Sequence, residues 1–211
     1  GDPELTQTLT VTVTSSNTAL IPTPTKSYSD QTTGTLSYTP VPDANGTATI
    51  TVTVTDDGNT DAGIGDDNSI SIVFNVHITA VNDEPIIDSV LDPDPILEDP
   101  RQQIINVIGI GDGDPELDQV IEVTAISSNT ALIPHPTVNY TSDQSTGTLS
   151  YTPVANMNDS PSGPATITVK VKDNGNTNSN IGDDDTYSIE FNVSVTFVND
   201  NPIIGIVESL I

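Results

Sequence analysis

The 211-residue sequence predicts an all-β protein of two antiparallel β-sandwiches in series. Three observations carry that expectation. Apolar and threonine side chains alternate in short runs, Pro- and Gly-containing turns separate the runs, and the whole pattern occurs twice. Gly1-Asp-Pro-Glu-Leu5 returns as Gly113–Leu117, and Ser15–Pro22 returns unchanged as Ser127–Pro134. Thr33–Pro40 returns unchanged as Thr146–Pro153, and Ala48–Val52 as Ala165–Val169. Val81-Asn-Asp-Glu-Pro85 returns as Val198-Asn-Asp-Asn-Pro202. The spacing, roughly 115 residues, exceeds the 20–50 of a solenoid unit and suits a whole small domain.

The strands follow in chain order. Thr8–Thr14 places Leu9, Val11 and Val13 on one face, and Thr47–Thr55 places Ala48, Ile50, Val52 and Val54 on one face with threonines on the other. Val120–Ile126, Ala165–Val171 and Tyr187–Val195 alternate in the same way. β-branched Thr, Val and Ile suit a pleated, half-buried surface. Turns are expected at Pro22–Pro24, Pro40–Pro42 and Asp57-Gly58-Asn59. No stretch has the 3.6-residue period of a helix. Low hydrophobicity with high charge is also a mark of disorder, but the strict period of two, repeated, argues for strands around small aliphatic cores.

The repeats set the expected boundaries: a first sandwich over 1–85 that lacks its opening strand, a complete second sandwich over 86–202, and the start of a further repeat, or a donor strand, at 203–211. Residues 86–112 have no counterpart before Gly1, so the sequence reads as a slice of a longer array. The apolar tail Ile203–Ile211 would alternatively add as a strand to the first repeat of another copy, building an open head-to-tail filament.

Composition excludes several functions. Thirty Asp and Glu against four Lys and Arg leave a net charge of −26, which opposes electrostatic binding to nucleic acid or to an anionic membrane surface. No run of about 18 apolar residues is present to insert in a bilayer. Cysteine is absent, which removes disulfides, thiolate metal sites and a Cys nucleophile. His77 and His135 occupy non-equivalent places in the two repeats and suggest neither a zinc pair nor a general base, and no Gly-x-Ser-x-Gly nucleophile motif occurs. The expectation is a non-enzymatic chain.

The carboxylates gather between strands. One group is Asp56-Asp57-Gly58-Asn59-Thr60-Asp61 with Gly65–Asn68, copied as Asp173-Asn174-Gly175-Asn176 with Gly182–Asp185. A second is Asn82-Asp83-Glu84, copied as Asn199-Asp200-Asn201, and a third joins Leu97-Glu98-Asp99 to Asp112–Glu116. Carboxylates one or two residues apart in loops can turn several oxygens to one point, as a hard cation such as Ca²⁺ requires. Acidic loops also serve solubility alone; their recurrence at the repeat seam favours metal.

These words, in this order, resemble the cadherin-like, tandem immunoglobulin-like modules of large bacterial surface and secreted adhesins. The match is carried by Val81–Pro85 and its copy, Pro95-Ile-Leu-Glu98-Asp99, Asp112-x-Asp114, and Val171-Lys-Asp173-Asn-Gly175. The resemblance implies an immunoglobulin/cadherin-like fold with Ca²⁺ at each inter-domain linker. It implies a first site of Asn82, through its backbone carbonyl, with Asp83, Asp112, Asp114 and Asp173. It implies a second of Glu98, Asn199 and Asp200, and assigns Asp2 and Asp56 to a linker further upstream. Ala80 and Phe197 stand where the family has the linker's first Asp, and the mid-domain Asp-Arg-Glu is missing, which lowers the expectation to one or two ions per junction. The implied role is an extracellular fibre or surface stalk of bacterial origin. Its partners would be neighbouring repeats, copies of itself, and surface glycans or proteins. The alternative is a carbohydrate-binding or spacer domain of a secreted polysaccharide-degrading enzyme, against which the absence of Trp counts.

Overall fold

The structure, a computed structural model, describes residues 8–28, 33–58, 68–98, 101–175 and 185–199. The described residues form thirteen strands and no helix. Two compact units divide the chain, Gly1–Val81 and Asn82–Ile211.

In the first unit, β1 (Thr10–Ser15), β4 (Gly46–Thr55) and β5 (Ser69–Ile78) form one antiparallel sheet in the order β1-β4-β5. β2 (Thr25–Tyr28) and β3 (Gly34–Ser37) pair as a second, two-stranded sheet. The alternation read in the sequence sets the register: Val11 opposes Val54 and Val13 opposes Val52, while threonines oppose threonines on the other face. Leu20, Ile21, Ala48, Ile50, Val52 and Val76 make the core, with Val11, Val13 and Leu36 packed against it.

The second unit repeats this plan with more strands. β8 (Glu122–Ser127), β11 (Ala165–Lys172) and β12 (Thr186–Val193) form the sheet β12-β11-β8. The facing sheet is β7-β10-β9, from β7 (Gln103–Ile108), β10 (Thr146–Tyr151) and β9 (Thr137–Asn139). β6 (Ile96–Leu97) pairs in parallel with β13 (Val195–Thr196), and Ile86 bridges Gly111 antiparallel. The two sheets enclose a core that runs from Ile87 through Val107, Leu149 and Val169 to Phe191 and Val195. The expected strand at Val120–Ile126 begins two residues later, because the backbone N–H of Val120 is taken by the Asn174 side chain rather than by a ladder partner. The core was expected to be aliphatic; the second unit adds Phe191 and Tyr151. The tail 203–211 lies outside the described residues.

Candidate metal centre

In each repeat the aspartate that follows β4 or β11 accepts two backbone N–H groups. In the second unit, Asp173 Oδ1 accepts the backbone N–H groups of Gly175 at 2.8 Å and Asp185 at 3.0 Å. In the first, Asp56 Oδ1 accepts those of Gly58 at 3.0 Å and Asn68 at 3.2 Å. Gly58 and Gly175 both sit at positive φ, 61° and 67°, where glycine meets no steric penalty. One residue on, the copies diverge. Asp57 Oδ1 accepts the N–H of Thr8, which holds its carboxyl below the ordinary 3.8, whereas Asn174 accepts the corresponding N–H of Val120 with an uncharged side chain.

In the second unit further oxygens converge on this loop. Asp114 Oδ1 accepts the N–H groups of Glu116 and Leu117, at 2.7 and 3.1 Å, and Asp112 Oδ2 accepts that of Gln119 at 3.2 Å. Gly113 between them has φ of +77° and lies so close to the Glu84 carbonyl that a Cβ would overlap it. Only glycine allows this approach of Asp112–Asp114 to the segment that follows Asn82. The Asn82 amide then donates to Asp173 Oδ1 at 3.4 Å and to Asp185 Oδ2 at 3.2 Å.

Gln119 stands at the centre. Its Nε2 faces three oxygens at once: Asn82 Oδ1, Asp114 Oδ2 at 3.1 Å and the Gly175 carbonyl at 3.0 Å. An amide nitrogen carries two hydrogens, so one of the three receives none. Among the described residues, Gln119 Oε1 and Asp173 Oδ2 are buried and have no hydrogen-bond partner. Asp173 and Gln119 are only 2% and 3% exposed, and Asp114 is buried as well. Two buried carboxylates and two unsatisfied oxygens, with no basic side chain bonded to them among the described residues, are a costly arrangement for a metal-free protein.

The donor set is all oxygen and mixes carboxylates, side-chain amides and a backbone carbonyl, which is what Ca²⁺ takes and what Zn²⁺ or copper do not favour. Among the described residues, no three acidic or histidine side chains are placed together as metal ligands. The amides are what join the two buried carboxylates.

The sequence-derived residues fall into separate places. Asn82, Asp114 and Asp173 meet around the Gln119 amide, while Asp112 accepts the Gln119 backbone N–H. The Asn82 side-chain amide reaches across to the Asp173 and Asp185 carboxylates. Asp83 is exposed. Glu98 is buried at the end of β6, where Oε1 accepts the N–H of Val198 at 2.8 Å, next to exposed Asn199. Asp56 holds its own loop in the first unit. Asp2 and Asp200 lie outside the described residues. Sequence reasoning missed Gln119 and did not single out Asp185. The signal for Gln119 was present, since Gln7 stands at the same place after the first Gly-Asp-Pro-Glu-Leu. The histidines are engaged locally: His77 Nδ1 with the Thr47 hydroxyl at 3.0 Å, and His135 Nδ1 accepting the Ser127 N–H at 2.9 Å.

No protein-family model matches the chain and no curated protein matches it in sequence. Among solved structures it is similar to the crystal structure of the S-layer protein SbsC domains 4 and 5. That similarity spans 87% of this chain and 70% of that one, at 18% identity and a TM-score of 0.32.

Proposed function

We propose that the chain is a non-enzymatic structural module of an extracellular, bacterial surface fibre or stalk, and that the cluster around Gln119 binds Ca²⁺. The observation that supports this reading is a pair of buried oxygens, Asp173 Oδ2 and Gln119 Oε1, that have no hydrogen-bond partner among the described residues and lie inside an all-oxygen cluster. Asn82, Asp114, Gln119, Asp173 and the Gly175 carbonyl would supply the ligands. The ion would neutralise Asp114 and Asp173. It would also fix Asn82, the first residue of the second unit, and so stiffen the chain where it leaves the first unit at Val81. Glu98 with Asn199 would serve the following linker in the same way. An affinity of about 10⁻⁴–10⁻³ M suffices for an extracellular module.

The test is calorimetric titration with Ca²⁺, alongside melting in chelator and in calcium. At free Ca²⁺ ten times the dissociation constant, linkage stabilises the second unit by about 1.4 kcal/mol, which raises its melting temperature by roughly 5 °C. D173N should abolish both the heat and the shift. Identical melting in chelator and in calcium tenfold above the expected dissociation constant would overturn the proposal.

A further inference from the structure

The two buried carboxylates of the second unit divide their oxygens. Asp173 Oδ1 accepts the N–H groups of Gly175 and Asp185, and Asp114 Oδ1 those of Glu116 and Leu117. These bonds fold the two loops. The second oxygens are left for the cluster: Asp114 Oδ2 meets Gln119 Nε2, and Asp173 Oδ2 meets no donor among the described residues.

The Gln119 side chain is the donor that three of the cluster's oxygens share. Its Nε2 faces Asn82 Oδ1, Asp114 Oδ2 and the Gly175 carbonyl. An amide NH2 carries partial positive charge and two hydrogens, so it stands in for a cation incompletely. Oε1 of the same amide is buried without a partner among the described residues, on a side chain 3% exposed. A half turn about the Cγ–Cδ bond exchanges the two atoms. Without a cation, that turn sets an oxygen against three oxygens and is repulsive. With a cation among them, it adds a ligand. The favoured orientation therefore depends on the ion.

We propose that Gln119 sets the calcium threshold of this site by turning its amide. Nε2 closes the metal-free cluster as a donor, and Oε1 enters the loaded cluster as a ligand. This rests on the Ca²⁺ reading above and adds to it the residue that governs when the ion enters. Two features hold the affinity down. The residue at the centre is neutral, so the ion meets the carboxylates of Asp114 and Asp173 and no third charge from Gln119; ligand charge count tunes affinity in oxygen sites. The closed amide must also be displaced, which lowers the apparent affinity by the fraction of molecules that are open.

The experiment compares the full 211-residue chain with its Q119E variant. Both are titrated calorimetrically with Ca²⁺ and melted in chelator and in saturating calcium. Q119E removes the donor and adds a buried charge, so it should melt below the unaltered chain in chelator. It should bind Ca²⁺ at least about tenfold more tightly, and the melting gap should close in calcium. A Gln119 that only braces the loops would leave the gap open in calcium and the affinity unraised, and either result overturns the proposal. A crystal structure of the unaltered chain grown with calcium decides the matter independently, including where Q119E fails to fold. Gln119 Oε1 should lie about 2.3–2.6 Å from the ion. An ion bound with Nε2 still on Asn82, Asp114 and Gly175 would overturn this proposal and leave the Ca²⁺ reading standing. No calcium heat in the unaltered chain would overturn both.

Discussion

Ser15–Pro22 and Ser127–Pro134 are one octapeptide used twice, and they fold alike. In both, the Leu and Ile amides return to the Asn carbonyl: Leu20 and Ile21 to Asn17 at 3.2 and 2.9 Å, Leu132 and Ile133 to Asn129 at 3.1 and 2.9 Å. In both, the Leu carbonyl accepts a later N–H at 2.9 Å, from Val41 and from Val154. All four Leu and Ile side chains are buried. Thr33–Pro40 and Thr146–Pro153 are also one octapeptide used twice, and they end differently. Tyr151 is 4% exposed and Tyr38 is 42%. The first octapeptide satisfies itself through turns and its own sheet, so its environment travels with it. The second is one wall of a core whose other wall, in the second unit, is β7, and among the described residues of the first unit β3 pairs with β2 alone. Local hydrogen bonding is portable between repeats, whereas burial is not.

The largest test of that contrast is in the core. Phe191→Ala should cost the second unit about 3–5 kcal/mol in urea denaturation. Its counterpart Phe74→Ala, already partly in solvent, should cost the first unit only about 1–2 kcal/mol. Equal costs would mean that the first unit buries this face as fully as the second.

The portable element makes the opposite prediction. Ser16 Oγ accepts the Thr49 N–H at 2.8 Å and Ser128 Oγ accepts the Thr166 N–H at 2.9 Å. S16A and S128A should each destabilise their own unit by about 1 kcal/mol, and by the same amount. A difference above about half that value would show that the octapeptide reports its surroundings after all.

The smallest effect concerns alkaline pH. Burial pushes the Tyr151 phenol above its ordinary 10.0. Burial, followed by the charges of Asp143 and Asp112, does the same for Tyr140. Above the ordinary value the unfolded chain releases these protons first, so the folded unit binds more protons and stability falls as pH rises. The contribution is intact below pH 10 and is lost on passing through the raised values. Y151F should flatten the decline in melting temperature of the second unit above pH 10. An unchanged slope in Y151F would remove Tyr151 as its source.

Much of the fold was legible because it depends on period and punctuation. Thr47–Thr55 can put Ala48, Ile50 and Val52 in a core only as a strand, since a one-residue slip would bury the threonines. The candidate site was legible in part. The acidic words around Asp112, Asp114 and Asp173 announced themselves by repetition. Gln119 did not, because a neutral amide among carboxylates carries no charge signal, although its recurrence at Gln7 marked it. The exposure of Asp83 beside partly buried Asn82 was not legible, since neighbours in an extended segment point to opposite sides.

By itself the sequence determined the five strands with the clearest alternation, their inward faces and the doubling of the plan, because each rests on interactions within a few residues or on a strict period of two. The tertiary structure alone decided which oxygens meet around Gln119, because that depends on segments far apart in the chain being brought together. Asn82, Asp114 and Asp173 span about ninety residues, and no local pattern encodes how a loop closed by one aspartate will come to face an amide so distant.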